Sequence, residues 1–215
     1  MNIPVSAVLI TKNAEAVLEE CLRSVSWCNE IVVVDSGSTD KTVAICKEYN
    51  CRIIHQDFLG FGAQKNFSVL QAKNDWVLHI DADEVVTEDL KQSILTELPK
   101  HHTTTIAFEL PRTLIFFGQK FNYGRENKQS IVRLFDKRSC NYDLAEVHEK
   151  LLVNGPTRSL KGELLHYSYA SLFEYFEKFN VYTSKGALEQ VKKKKSRSRF
   201  LVLLFAPFYF FKFYR

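Results

Sequence analysis

No Gly-rich phosphate loop follows the first apolar run of this 215-residue chain, and no segment of it repeats. A nucleotidyltransferase built on such a loop is therefore disfavoured. The apolar stretch near its end, F-L-V-L-L-F-A-P-F-Y-F-F, carries a proline and falls short of the about 20 residues that a bilayer crossing takes. The five cysteines (21, 28, 46, 51 and 140) form no C-x-x-C pair and no metal-ligand rhythm. That pattern fits mostly buried thiols in a reducing compartment, not a disulfide framework. The opening M-N-I-P-V-S-A-V-L-I-T-K-N has no basic n-region and no small-residue cleavage site, so a secretory leader is not expected. A net charge of only +4 demands no polyanionic partner, and no aromatic platform or recognition helix accompanies the basic run near the C-terminus. The expectation is a cytoplasmic protein that binds no nucleic acid.

What is present is the composition of a globular protein, long enough for one α/β domain plus an appendage. Over the first hundred residues, short β-branched runs alternate with helical periodicity. Val5–Ile10, Ile31–Val34, Cys51–His55 and Asp75–Ile80 read as strands. Helices are expected over Ala14–Val25, from near Lys41 with Ser38 or Thr39 as cap, over 63–72, and from Thr87, as N-cap, to Leu98. This order predicts an α/β fold with a mainly parallel central sheet flanked by helices on both faces. Ligands of such sheets bind beyond the carboxyl ends of the strands. Thr11-Lys12-Asn13, Asp35-Ser36-Gly37 and Asp81-Ala82-Asp83 all lie at such ends, which describes one site.

From residue 103 the pattern changes to further strands and turns, and residues 171–191 regain helical periodicity through Leu172, Phe173, Phe176, Phe179 and Tyr182. Residues 1–100 read as the nucleotide-binding half of one domain, 101–190 as its acceptor-side half, and 191–215 as a tail. In that tail, K-K-K-K-S-R-S-R (192–199) places six basic residues before the aromatic, apolar stretch. A basic cluster joined to such a stretch is what an interfacial anchor needs, and each basic side chain near an anionic surface adds about 1 kcal/mol. A solvated charge run followed by a core helix would look similar, but so many exposed Phe would invite aggregation. The expected location is the inner face of the cytoplasmic membrane, held peripherally.

The stretch W-V-L-H-I-D-A-D-E (76–84) sets three acids behind a buried run. Carboxylates there repel one another and are costly to desolvate unless a cation or donors meet them. A metal site, a phosphoryl-transfer nucleophile or a solvated turn would each account for them. In an extended segment Asp81 and Asp83 point the same way and can hold a hard divalent cation with positions left for phosphate oxygens. Glu84 reads as a helix-starting acid. The same residues fit the D-x-D-x-[T/V] signature of haloacid-dehalogenase-like phosphatases, with Asp81 as nucleophile. Three βα units precede it, however, and no suitable acidic pair follows.

A-V-L-I-T-K-N-A-E, I-V-V-V-D-S-G-S-T-D-K-T, A-Q-K-N-F and W-V-L-H-I-D-A-D-E, with V-H-E and L-L-H-Y-S-Y further on, together resemble family 2 glycosyltransferases of the GT-A fold. The resemblance runs over roughly residues 4–185. Within the family it points to the branch that glucosylates the inner core of lipopolysaccharide or lipooligosaccharide in Gram-negative bacteria. It implies transfer of a hexose, glucose from UDP-glucose, with inversion to a lipid-linked oligosaccharide, and a Mg²⁺ or Mn²⁺ ion bridging the diphosphate. By position, Thr11, Asn13 and Glu15 would line the nucleotide pocket and Asp35 would bond the uracil. Ser36 stands where relatives often carry a second acid. Lys65 would lie near the nucleotide, with Asn66 supporting its loop. Asp81 would contact ribose or metal, and Asp83 would bind the metal.

Such a transfer needs a base to take the proton of the acceptor hydroxyl. Glu149 is the candidate, with Asp143 and Glu146 behind it, unless it pairs with a Lys or Arg at the surface. His166 would complete the metal site or serve as a structural strand histidine. His148 would orient the segment or touch the sugar. Arg125 and Arg133 would meet acceptor phosphates or form surface ion pairs. The readings to set against this one are the phosphatase and a non-catalytic membrane-binding module.

Overall fold

The computed structural model describes residues 3–120, 129–143, 149–169 and 172–192. The expected alternation opens the chain: β1 (Val5–Thr11), α1 (Leu18–Ser24), β2 (Glu30–Asp35), α2 (Thr42–Glu48), β3 (Arg52–His55), α3 (Phe61–Leu70) and β4 (Trp76–His79). There follow β5 (Glu84–Val86), α4 (Glu88–His101), β6 (Ala107–Phe116), β7 (Gln119–Lys120), β8 (Gln129–Asp136), β9 (Cys140–Tyr142), β10 (Leu151–Val153), β11 (Thr157–Ser159), β12 (Leu164–Tyr169) and α5 (Leu172–Lys192). The tail from residue 193 onward, and the candidate residues Arg125, Glu146 and His148, lie outside the described residues.

β1, β2 and β4 are mostly apolar through their middles because both of their faces are covered. Val5, Ala7 and Leu9 join Ile31, Val33, Trp76 and Leu78 in one core with Leu18 and Leu22 of α1, Cys46 of α2, and Leu90 and Ile94 of α4. Their neighbours Val8, Val32 and Val77 face a second core with Val69 of α3. The period-2 alternation of a strand thus divides consecutive residues between two helical layers.

The sheet runs β3-β2-β1-β4-β8-β6-β12-β5. Its first four strands are parallel, as expected. Beyond them the same sheet continues in mixed sense: β8 runs against both β4 and β6, β12 lies along β6, and β5 runs against β12. The two reversals restore the original direction, so β6 and β12 point the same way as β1 to β4. The carboxyl ends of all these strands share one rim. Pro111, inside β6, falls in the gap between the stretch paired with β11 and the stretch paired with β12, a place where a missing N–H is tolerated.

Thr87 caps α4 as expected, its Oγ1 accepting the Leu90 N–H. The α2 cap differs from expectation. Ser38 and Thr39 are used to tie the β2 loop to the β1 loop, and the Asp40 carboxylate accepts the Thr42 N–H instead. α1 begins four residues later than Ala14 because Ala14 and Glu15 are held by Thr42 and Asp40 across that same junction.

Candidate active site

Two adjacent loops form the first wall of the rim. Thr11 ends β1, buried, with its Oγ1 unpartnered among the described residues, and its carbonyl accepts the Ser36 N–H at 2.9 Å. Asn13 takes a positive φ of 50°, which an asparagine tolerates. It donates its N–H to Ser38 Oγ and accepts the Thr39 N–H, both at 2.8 Å. The Glu15 carboxylate accepts the Lys41 N–H at 2.9 Å. Asp35 is buried, and its carboxylate accepts the N–H groups of Gly37 and Ser38 and the Ser38 hydroxyl. Gly37, at φ +84°, is what lets the turn close that tightly. Ser36 Oγ accepts from Gln64, whose fully buried amide also holds the loop after β3 through Gln56 and Leu59.

The second wall is a network of buried charge. Lys65, 5% exposed, lies 3.1 Å from Asp81 and 2.8 Å from Glu149, with its ammonium over the Tyr142 ring. Burial alone would push this ammonium down, but Asp81 and Glu149 hold it above its usual value. Asn66, next along α3, brackets the backbone of Tyr142 with two 2.8 Å bonds, and so fixes β9 against the helix. The other oxygen of Asp81 is paired with Arg133. Arg133 also reaches fully buried Glu84 at 2.8 Å, and the second Glu84 oxygen accepts the Asp81 N–H at 3.0 Å. Against its partial burial, Arg133 and Lys65 hold the Asp81 carboxyl far below the ordinary carboxylate range. Burial pushes Glu84 up. Beneath them His79 is fully buried, and burial with the nearby Lys65 charge keeps its ring neutral.

Asp83 stands apart from this network. It faces His166 at 3.5 Å, the two side chains being 31% and 22% exposed. Backbone pairing brings them together: β5 and β12 place Glu84 opposite His166, and the Asp83 carbonyl accepts the Tyr167 N–H at 2.9 Å. A carboxylate oxygen and an imidazole nitrogen, both open towards the rim, suit a divalent cation that fills its remaining positions with other oxygens. Asp81 is committed to its cationic partners, and among the described residues no three His, Cys, Asp or Glu side chains converge on one point.

Residues 6–152 match the description Glycosyl transferase family 2. The lipopolysaccharide core biosynthesis glycosyltransferase LpsC of Rhizobium meliloti (strain 1021) is 33% identical, covering 99% of this chain and 81% of that protein. The chain belongs to glycosyltransferase family 2. An uncharacterized glycosyltransferase of Rickettsia typhi is 30% identical over 91% of this chain and 71% of its own length. Among solved structures, S. aureus TarS 1–349 gives a TM-score of 0.49 at 19% identity, over 63% of this chain and 47% of that one, so the chain spans less than half of that solved protein. Family 2 membership sets aside the phosphatase reading of Asp81-Ala82-Asp83.

In this family 2 glycosyltransferase, Thr11, Asn13, Glu15, Asp35 and Ser36 gather on one wall, and Lys65, Asp81 and Glu149 interlock on the other. Asp83 and His166 meet beside them. Three readings are corrected. Arg133 makes no surface pair and offers no charge to an acceptor, because it is buried between Asp81 and Glu84. Glu84 is no helix-starting acid but the buried anchor of the Asp81 turn. Glu149 does pair with a lysine, yet inside the site and not at the surface. Gln64 and Tyr142 were not singled out from sequence. The one usable signal was Arg133 itself, a basic residue among apolar strand neighbours, which needs a buried partner.

Proposed function

We propose that this enzyme transfers a hexose, glucose from UDP-glucose, with inversion to a lipid-linked core oligosaccharide in lipopolysaccharide biosynthesis, at the inner face of the cytoplasmic membrane. The pairing of Asp83 with His166 at the mouth of the rim carries this reading. The core-biosynthesis role draws on the nearly full-length likeness to LpsC.

The β1 and β2 loops receive the uridine, with the buried Thr11 Oγ1, which has no partner among the described residues, as one group to meet it. Asp83 and His166 would hold a Mg²⁺ or Mn²⁺ ion, while Asp81 keeps its pairs with Lys65 and Arg133. Bound there, the ion supplies positive charge to a diphosphate. Lys65 adds a fixed ammonium in a water-poor setting, where charge growing on the departing UDP is stabilised without reorganisation. The acceptor hydroxyl oxygen attacks the anomeric carbon as the bond from that carbon to the diphosphate oxygen breaks. Glu149 takes the hydroxyl proton. Attack opposite the leaving group inverts the anomeric centre.

The test is a titration of UDP with and without Mn²⁺, on the parent protein and on Asp83→Ala. Tight binding that needs both the metal and Asp83 is expected; binding indifferent to both would refute the donor site.

A further inference from the structure

The same rim that carries the polar site also carries exposed apolar side chains on both of its flanks. After β3, at one edge of the sheet, Phe58 and Leu59 stand out from the loop that Gln64 organises, Leu59 being 54% exposed. Towards the other edge, Phe117 follows β6 at once, in a turn with φ of 51°. α5 leaves the end of β12 and presents Leu172, Phe173 and Phe176 to solvent, Phe173 being 73% exposed. The helix is fixed there through Tyr175, which meets Phe116 edge-on at 5.8 Å. Leu172, Phe173 and Phe176 therefore face outward and not into the core. These groups all lie past the carboxyl ends of strands that point the same way.

We propose that this rim is a lipid-docking face. Phe58–Leu59 on one flank, and Phe117 with the first turns of α5 on the other, enter the interfacial layer of an anionic bilayer, so that the site between them opens towards the membrane. The inference deepens the reading of a lipid-linked acceptor and in its purpose rests on it.

Two observations favour a lipid surface over a protein partner. The two apolar groups are separated by up to six strand spacings of about 4.8 Å each, about 30 Å, with the polar site of Asp35, Lys65 and Asp81 at the strand ends between them. A protein spanning both would cover the mouth of the site, whereas a fluid surface can touch both flanks and still deliver an acceptor. The basic excess comes from residues 192–199, which begin as α5 ends, and it complements anionic headgroups.

The experiment is flotation of the full chain with phosphatidylglycerol–phosphatidylcholine vesicles and with phosphatidylcholine alone. It compares the parent with Phe58→Ser/Leu59→Ser and with Phe173→Ser/Phe176→Ser. The first pair is far in sequence from the basic tail and so separates rim contact from tail contact. Each double variant is expected to partition at least about tenfold less onto anionic vesicles, with circular dichroism unchanged. Parent-like partitioning of the Phe58/Leu59 variant would overturn the proposal in favour of the tail alone. A parent dimer in sedimentation that the serines dissociate, with vesicle binding untouched, would overturn it in favour of a second copy. Should a double variant fail to fold, Leu59→Ser and Phe173→Ser singly make the same test. Rim-dependent partitioning by a protein that fails to bind UDP supports the docking face and sinks only the donor reading.

Discussion

Lys65 joins the two chemical halves of the site, since a single buried ammonium touches both Asp81 and Glu149. Replacing Glu149 by Gln keeps the shape and an acceptor for Lys65 but removes the capacity to take a proton. The expected outcome is a fall in transfer rate of about 10²–10⁴ with UDP affinity unchanged, read by sugar transfer and by UDP titration on the same sample. His79 gives a pH signature. Its ring stays neutral when folded, pushed down by burial and by Lys65, while the unfolded chain takes up a proton below about pH 6.5. The unfolded state then binds more protons, so stability rises with pH and is lost as pH falls below that value, by up to about 1.4 kcal/mol per pH unit. Urea unfolding at pH 7.5 and 5.5 should show this loss, and His79→Gln should remove much of it. At this scale the sequence was legible wherever a polar residue stood at a strand end, as with Thr11, Asp35 and Asp83. It was not legible for Arg133 and Glu84, because which buried charges neutralise each other depends on strands far apart in sequence meeting in the sheet.

Among the elements, β5 matters most for so short a strand. Its three residues hold Asp83 beside His166 by pairing with β12. The turn before β12 is fastened to α4: Thr87 Oγ1 both donates to the Glu163 carbonyl and accepts the Glu163 N–H, and Gly162 lies against the backbone of Leu90. A methyl group at Gly162 would run into Leu90 N and Cα, and its φ of +92° disfavours any other residue. Gly162→Ala is therefore expected to cost about 2 kcal/mol or more, with a lower Tm and weaker metal-dependent UDP binding; an unchanged Tm would mean that this junction gives way. The helices and parallel strands were readable because both follow from local periodicity. β5, β9 and β11 were not, since three residues carry no periodicity and acquire their form from their partners.

At the scale of the molecule, one sheet runs through both halves of the chain, and a strand from the first half ends up at its far edge against the last strand. Residues 1–100 expressed alone should show no cooperative urea transition by circular dichroism, because β4 would lose β8 and β5 would lose β12; a sharp transition would identify an autonomous unit. α5 was legible as a helix, but not that Leu172, Phe173 and Phe176 turn outward, because periodicity places apolar residues on one side without saying what lies opposite.

The pairing of β5 with β12 also has a consequence for biosynthesis. Asp83 leaves the ribosome well ahead of His166, eighty-three residues later in the chain. At about 5–20 residues per second, the nascent protein waits about 4 to 17 seconds with Asp83 made and its partner not yet synthesised. A polypeptide abandoned in that interval carries the β1 and β2 loops but neither β12 nor the Asp83–His166 couple, so under the proposed function an unfinished copy would lack the metal-holding half of its site.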